Sequence, residues 1–273
     1  MLRRLVIICH EDEKIMAHAL LSSINNPVEM CVIKDIKNQQ DFEQIFSSFS
    51  GPKDIHICLM TDQSSAWIQQ MLFQTEGIIR KRALAVFAVL MGRFNISYDF
   101  FSSQPIISST GDIKELSGKV TEIINNYLRI DFGRIKPWSL ENLVKDVLKA
   151  YHFEGITLTY SDHVDFGYDM MCTYTRNDDM LTKENWLIEV KYAAEDRLTI
   201  RYIDSLIKQN RDHYPADSKV MLVTNGTLTT AIWTYIEGLQ DKQNISILIV
   251  DGRKLCGLIA FHSNLINEYF PYE

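Results

Sequence analysis

Arg3-Arg-Leu-Val-Ile-Ile-Cys9 sets the reading of the first half of the chain. Leu5 to Cys9 are apolar without a break, so the run lacks the polar alternation of a half-solvated strand. It suits a strand covered on both faces in a parallel sheet. It is too short for a membrane span, which takes about 20 apolar residues. His10-Glu11-Asp12-Glu13 closes it before it reaches the length of a signal peptide. Beyond it, Glu11 to Ile24 has helical spacing, with Ile15, Ala19 and Leu20 on one face, and Asn25-Asn26-Pro27 ends the helix.

The same alternation continues along the chain. Met30 to Ile33 reads as a second strand, Asp41 to Phe49 as a short helix opened by Asp41, and Gly51-Pro52 as a turn. Ile55 to Met60 is a third strand, Ser64 to Lys81 a long helix, Leu84 to Leu90 a fourth strand and Gly111 to Leu128 a closing helix. This order predicts a doubly wound, flavodoxin-like α/β sheet over residues 1–132. Ile135-Lys136-Pro137-Trp138 reads as a linker, and Ser139 as the N-cap of a helix from Leu140 to Tyr151. Strand patterns follow at Ile156–Tyr160, Gly167–Thr175 and Trp186–Tyr192, the last two joined by a polar hairpin at Asn177-Asp178-Asp179. A helix from Ile200 to Gln209 comes next. Strands Val220–Val223 and Ile245–Val250 then flank a helix from Thr229 to Leu239. A second α/β domain over 138–273 is expected.

Composition bounds the function. The 273 residues are 46% hydrophobic and 23% charged, which excludes a disordered tail or a disulfide-built miniprotein. Five cysteines without a C-x-x-C pair read as reduced, mostly buried thiols of a cytoplasmic protein. Net charge is −7. The 15 basic and 15 acidic residues up to Lys136 balance, so the whole excess lies in the second half, with 13 basic and 20 acidic. A general nucleic-acid binder usually carries a basic excess, but a metal-dependent nuclease needs carboxylates in its own site.

The strand Trp186-Leu-Ile-Glu-Val-Lys-Tyr192 carries the chemistry. Side chains alternate across a strand, so Trp186, Ile188, Val190 and Tyr192 share an apolar face. Leu187, Glu189 and Lys191 share the other. Upstream, Asp165-Phe-Gly-Tyr-Asp169 offers two carboxylates around a glycine, and a hairpin would bring Asp169 beside Glu189. Two carboxylates hold a hard divalent cation and leave positions for water and phosphate. A neighbouring lysine orients that water or offsets developing charge. A surface Glu–Lys pair on a half-exposed strand is the plain alternative. Asp165 is also a natural turn cap. Arg197, Arg201, Lys208 and Arg211 are phosphate contacts or ordinary helix charges. The histidines, among them His152, His163 and His213, show no metal spacing.

Taken in order, Leu140-Glu141-Asn-Leu-Val144, Asp165-Phe-Gly-Tyr-Asp169, Glu189-Val-Lys191, Val223-Thr-Asn-Gly-Thr227 with Ala231, and Asp251-Gly-Arg-Lys-Leu255 resemble the Mrr-type branch of the PD-(D/E)xK nuclease superfamily over residues 138–260. The resemblance implies a restriction-endonuclease-like domain that cuts DNA with Mg2+ or Mn2+. It implies Asp169 and Glu189 as metal ligands, Lys191 as the catalytic lysine, and Glu141 as the first-helix acid near the metal. Residues 251–255 would form the closing strand and turn. Many Mrr relatives carry Gln where this chain has Glu189.

The first domain resembles a Toll/interleukin-receptor (TIR) domain in Leu5-Val-Ile-Ile-Cys-His10-Glu-Asp-Glu, Cys58-Leu-Met-Thr-Asp-Gln-Ser-Ser-Ala-Trp67 and Val86-Phe-Ala-Val-Leu90. NAD-cleaving members place a catalytic glutamate four residues after that tryptophan. Here the position is Met71, and the nearest acid on the helix is Glu76. The resemblance therefore implies a sensor or assembly module, with a residual NADase through Glu76 as an alternative and Trp67 open to a plain packing role. A CRISPR-associated Rossmann-like sensor of cyclic oligoadenylates, gating a nuclease that acts on DNA or RNA, is the other candidate. The serine-rich turns at Ser47–Gly51 and Ser108–Gly111 do not decide between them. Ligands of such sheets bind at the C-terminal ends of strands, which makes His10, Thr61, Asp62, Ser64 and Gly92 candidate contacts for a nucleotide second messenger. The whole reads as a defence effector of bacteria, a homodimer or larger assembly because cutting two strands needs two sites, with no membrane partner. A catalytically inactive scaffold is the non-enzymatic alternative.

Overall fold

A computed structural model describes residues 4–24, 30–48, 54–82, 84–92, 100–101, 105–109, 112–159, 168–176, 181–193, 198–211, 218–243 and 247–272. The expected turns at 25–27, 51–52, 110–111 and 177–179, together with Asp165, His163, Arg197 and His213, lie outside the described residues, as do the side chains of Lys208 and Arg211. The chain divides into two compact units, Met1–Arg129 and Ile130–Glu273.

The first unit is built on β1 (Arg4–His10), β2 (Met30–Ile36), β3 (Ile55–Thr61), β4 (Ala85–Met91) and β5 (Ile106–Ser109). All pair in parallel, in the order β2-β1-β3-β4-β5. Its helices are α1 (Lys14–Ser23), α2 (Gln39–Ser48), α3 (Ser65–Lys81) and α4 (Ile113–Arg129). α1 packs with α4, and α2 with α3. Alternation along the strands explains why both faces are apolar. Val6, Ile8, Cys58, Met60, Val86, Ala88 and Leu90 form one core with Phe42 and Phe46 of α2 and Ile68, Met71 and Leu72 of α3. Leu5, Ile7, Ile57, Leu59, Phe87 and Val89 fall on the opposite face and are equally buried. At about 25 cal/mol per Å2, such two-sided burial is the main force holding the sheet.

Several expectations are corrected. β5 was not foreseen, because its four residues include two serines and give little apolar signal. The helix expected from Glu11 begins as a 3-10 turn, Glu11–Glu13, before α1. Its buried line is Ala17, Leu20 and Ile24, while Ile15 is 86% exposed and Ala19 also faces solvent. α2 is capped by Asn38 rather than Asp41. The Asn38 side chain accepts from the Asp41 N–H at 3.0 Å, satisfying one orphan donor of the helix, and the Asp41 carboxylate accepts from the Lys37 N–H at 3.1 Å ahead of it.

The second unit holds a mixed sheet, β10-β9-β8-β7-β6, from β6 (Glu154–Leu158), β7 (Met170–Thr175), β8 (Lys183–Lys191), β9 (Lys219–Thr224) and β10 (Ile247–Val250). β6, β7 and β8 are antiparallel neighbours, whereas β8, β9 and β10 run parallel. The helices are α5 (Pro137–Ala150), α6 (Ile200–Arg211), α7 (Thr230–Gln243), α8 (Gly252–Ala260) and α9 (Ser263–Tyr269). Ile203 and Leu206 of α6 and Ile232 and Ile236 of α7 cover Leu222, Ile247 and Ile249. Ser139 is not the cap of α5: Pro137 stands in its first turn and Lys136 is the capping residue, a position where proline costs no hydrogen bond. Residues 251–255 are not a closing strand and turn. Asp251 accepts from the Lys254 N–H at 2.9 Å and caps α8. No helix among the described residues is long and apolar enough to cross a membrane. Among the described side chains four cysteines are free, and burial lifts the Cys9 thiol to about 11 and Cys172 to about 12, which makes them poor nucleophiles.

Candidate functional site

The site is assembled where β7 begins and parallel β8 ends. In the antiparallel register Met170 faces Ile188 and Met171 faces Leu187. Asp169, one residue before β7, donates its N–H to the Ile188 carbonyl at 2.8 Å, and its carboxylate accepts the Val190 N–H at 2.6 Å. One Asp169 oxygen is thus fixed on the backbone of the E-x-K strand, and the aspartate is brought alongside Glu189 as expected.

Register with β9 places Glu189 opposite Leu222 and Lys191 opposite Thr224. Glu189 therefore lies on the face covered by α6. Its Oε1 accepts the Tyr202 hydroxyl. The Lys191 ammonium stands 4.8 Å from the centre of the same ring, within the range of cation–π attraction. Glu189 is half-buried, Lys191 is exposed, and Lys191 forms no ion pair with a described residue. Tyr202 is a residue that sequence reasoning missed. The available signal was the Thr199-Ile-Arg-Tyr202 spacing: the Thr199 hydroxyl accepts from the Tyr202 N–H at 3.2 Å and so fixes the start of α6.

The strand ends are tied together around these side chains. The Ala193 N–H donates to Asn225 Oδ1 at 2.7 Å, and the Gly252 N–H donates to the Gly226 carbonyl at 2.8 Å. A Cβ at Gly252 would lie 2.3 Å from the Asn225 carbonyl oxygen, so only glycine permits this approach of the start of α8 to the turn after β9. Glu141 lies on α5, one turn before buried Val144 and two before buried Leu148. Tyr192 shares its face of β8 with Ile188 and Val190 and donates to the Ile135 carbonyl at 3.0 Å, just ahead of α5. Glu141 is itself half-buried. Among the described residues no group of three or more His, Cys, Asp or Glu is placed to hold a metal ion. Two oxygen-donor carboxylates, each oriented by a fixed hydrogen bond, do suit a hard divalent ion that keeps several of its waters. Asp169 and Glu189 are the residues that would hold it.

The first unit has its own strand-end cluster. Its order reverses between β1 and β3, the position where open α/β sheets form a crevice. Glu13, which sequence reasoning did not single out, is buried there, 8% exposed. Its Oε1 accepts from the Thr61 and Ser64 hydroxyls, each at 2.5 Å, while its Oε2 is buried without a hydrogen-bond partner among the described residues. Thr61 and Ser64 are thus brought together, and Ser64 precedes α3. His10 sits edge-on to Trp67 at 5.4 Å. Asp62 closes on the backbone of Gly92, where a Cβ would come 2.0 Å from its Oδ1. Trp67 packs on the α2–α3 core, and Met71, four residues on, is inside that core. Glu76 pairs with Arg80 at 2.7 Å. No protein-family model matches the chain, nor does any curated protein or solved structure.

Proposed function

We propose that the second unit is a PD-(D/E)xK-type, Mg2+- or Mn2+-dependent endonuclease acting on DNA, and that the first is a TIR-like, flavodoxin-like sensor or assembly domain lacking the NADase glutamate. The observation that carries the reading is the meeting of Asp169, Glu189 and Lys191 at the β7–β8 strand end. A bound divalent ion would supply Lewis-acid activation of the phosphate and of water. Asp169 and Glu189 bind and orient. Lys191, exposed and on the same face as Glu189, directs a water toward phosphorus and offsets charge on the phosphate oxygens. The water gives up one proton to solvent as its oxygen bonds phosphorus, the ester P–O bond breaks, and the leaving alkoxide takes a proton from solvent. Glu141, on α5, is a supporting acid near the metal.

The acidity of the second half, 13 basic against 20 acidic residues, holds the resting protein off DNA. Ligand capture at the strand-end cluster of His10, Thr61, Asp62, Ser64 and Gly92, or assembly into a homodimer or larger array, would overcome this by avidity. The setting is a cytoplasmic defence effector. The test incubates plasmid DNA with the protein in Mg2+, with and without cyclic oligoadenylates and NAD-derived nucleotides, beside Asp169→Ala. Cleavage lost in the variant supports the reading, and cleavage with only one nucleotide names the signal. Intact plasmid under every condition, or an unimpaired Asp169→Ala, overturns it in favour of a scaffold or a different site.

A further inference from the structure

We infer that Tyr202 is a positioning residue of the candidate nuclease site, acting on Glu189 and Lys191 together; the inference rests on the proposed nuclease reading. Three observations converge on this side chain. Its hydroxyl donates to Glu189 Oε1. Its ring carries the Lys191 ammonium at 4.8 Å. Its backbone is fixed by the Thr199 cap, and it packs beside Ile203 and Leu206 on the core beneath α6.

The physical consequence follows from the geometry. A glutamate side chain at a strand end has several rotamers, and holding one in place costs conformational entropy. A hydrogen bond on one oxygen selects the rotamer and directs the other oxygen away from the phenol. Hydrogen-bonded partners of this kind around metal ligands change metal affinity by about 10–100-fold when removed. Lys191, two residues along the same face, would otherwise sweep a wide volume of solvent. The ring restrains the ammonium near the carboxylate without consuming its three N–H donors, which remain available to water or phosphate. One aromatic side chain thus sets both the anionic and the cationic half of the site.

Two substitutions separate these roles. Tyr202→Phe keeps the ring and removes the hydroxyl, whereas Tyr202→Leu removes both. The experiment titrates Mn2+ into the full chain by calorimetry for wild type, Asp169→Ala, Tyr202→Phe and Tyr202→Leu, and follows plasmid cleavage at saturating Mn2+ for the same proteins. Circular dichroism melts show that each is folded. The inference expects Tyr202→Phe to bind Mn2+ about 10-fold more weakly and to cleave at nearly the wild-type rate once saturated. It expects Tyr202→Leu to bind with the same weakness and to cleave more slowly even at saturation, because Lys191 has lost its support. Wild-type Mn2+ affinity in Tyr202→Phe, with binding lost in Asp169→Ala, overturns the inference and leaves the nuclease reading standing. Absence of Mn2+ binding in the wild type overturns the nuclease reading itself, and the inference with it.

Discussion

Both units place acidic side chains at the C-terminal ends of parallel strands, but they treat them in opposite ways. In the first unit Glu13 is drawn beneath the surface and met by two hydroxyls, one from the end of β3 and one from the turn after it. In the second, Glu189 stays half-exposed under a tyrosine, and Lys191 reaches solvent without an ion pair among the described residues. The difference comes from strand pairing. Glu13 lies in the turn after β1, beneath the end of β3, and a carboxylate buried there must be met by donors. β8 joins an antiparallel half to a parallel half, and the aspartate ahead of β7 arrives at its open end. Burial ties the Glu13 carboxylate into the fold beneath the proposed ligand contacts, whereas Glu189 and Lys191 keep access to solvent.

The sharpest way to break the comparison is Lys191→Ala. An exposed side chain that serves catalysis should be dispensable for folding, so the melting temperature should stay within error of wild type. The cleavage rate should fall by about 100-fold or more. A large loss of stability with little loss of rate would make Lys191 structural.

Glu13→Ala is the converse. It leaves the Thr61 and Ser64 hydroxyls without their acceptor and should destabilise the first unit by about 1–3 kcal/mol. Glu13→Gln, which keeps an acceptor oxygen, should cost less. Denaturant unfolding measures both, and an unchanged midpoint for Glu13→Ala would show that the cluster does not support the fold. Gly252→Ala tests the tie between the start of α8 and the turn after β9, with an expected cost of about 1–3 kcal/mol from crowding the Asn225 carbonyl; thermal melting reads it.

The smallest effect is a pH dependence. Burial, and then the nearby His152, hold the His262 imidazole below its ordinary 6.5. The unfolded chain therefore takes the proton first. The second unit should lose stability as pH falls below about 6.5, and none of this loss should appear above it. His262→Phe should flatten the profile, as melts between pH 5 and 8 would register.

Much of this contrast was legible in the sequence, for reasons visible in particular residues. Unbroken apolar runs such as Leu5–Cys9 identify strands covered on both faces, and alternation from Trp186 to Tyr192 fixes which side chains share a face with Glu189. Asp169 was within reach because a hairpin register follows from adjacent strand patterns. Tyr202 was not, because it comes from a different element and meets the strand only through tertiary packing. Glu13 was missed for a related reason: an acid in a turn reads as solvated until the hydroxyls of a loop 48 and 51 residues away are known to face it. The short β5 and the α8 cap at Asp251 were hidden by polar residues that periodicity treats as loop.

The central claim is that the end of β8 is a phosphodiester-cleaving centre built on carboxylates. It is tested most directly by the initial rate of supercoiled-plasmid cleavage in Mg2+ by wild type and Glu189→Gln, under the condition that activates the wild type. A drop of about 100-fold or more, with an unchanged melting temperature and with wild-type cleavage stopped by a chelator, is the predicted result. Equal rates for the two proteins, or cleavage indifferent to the chelator, would contradict it.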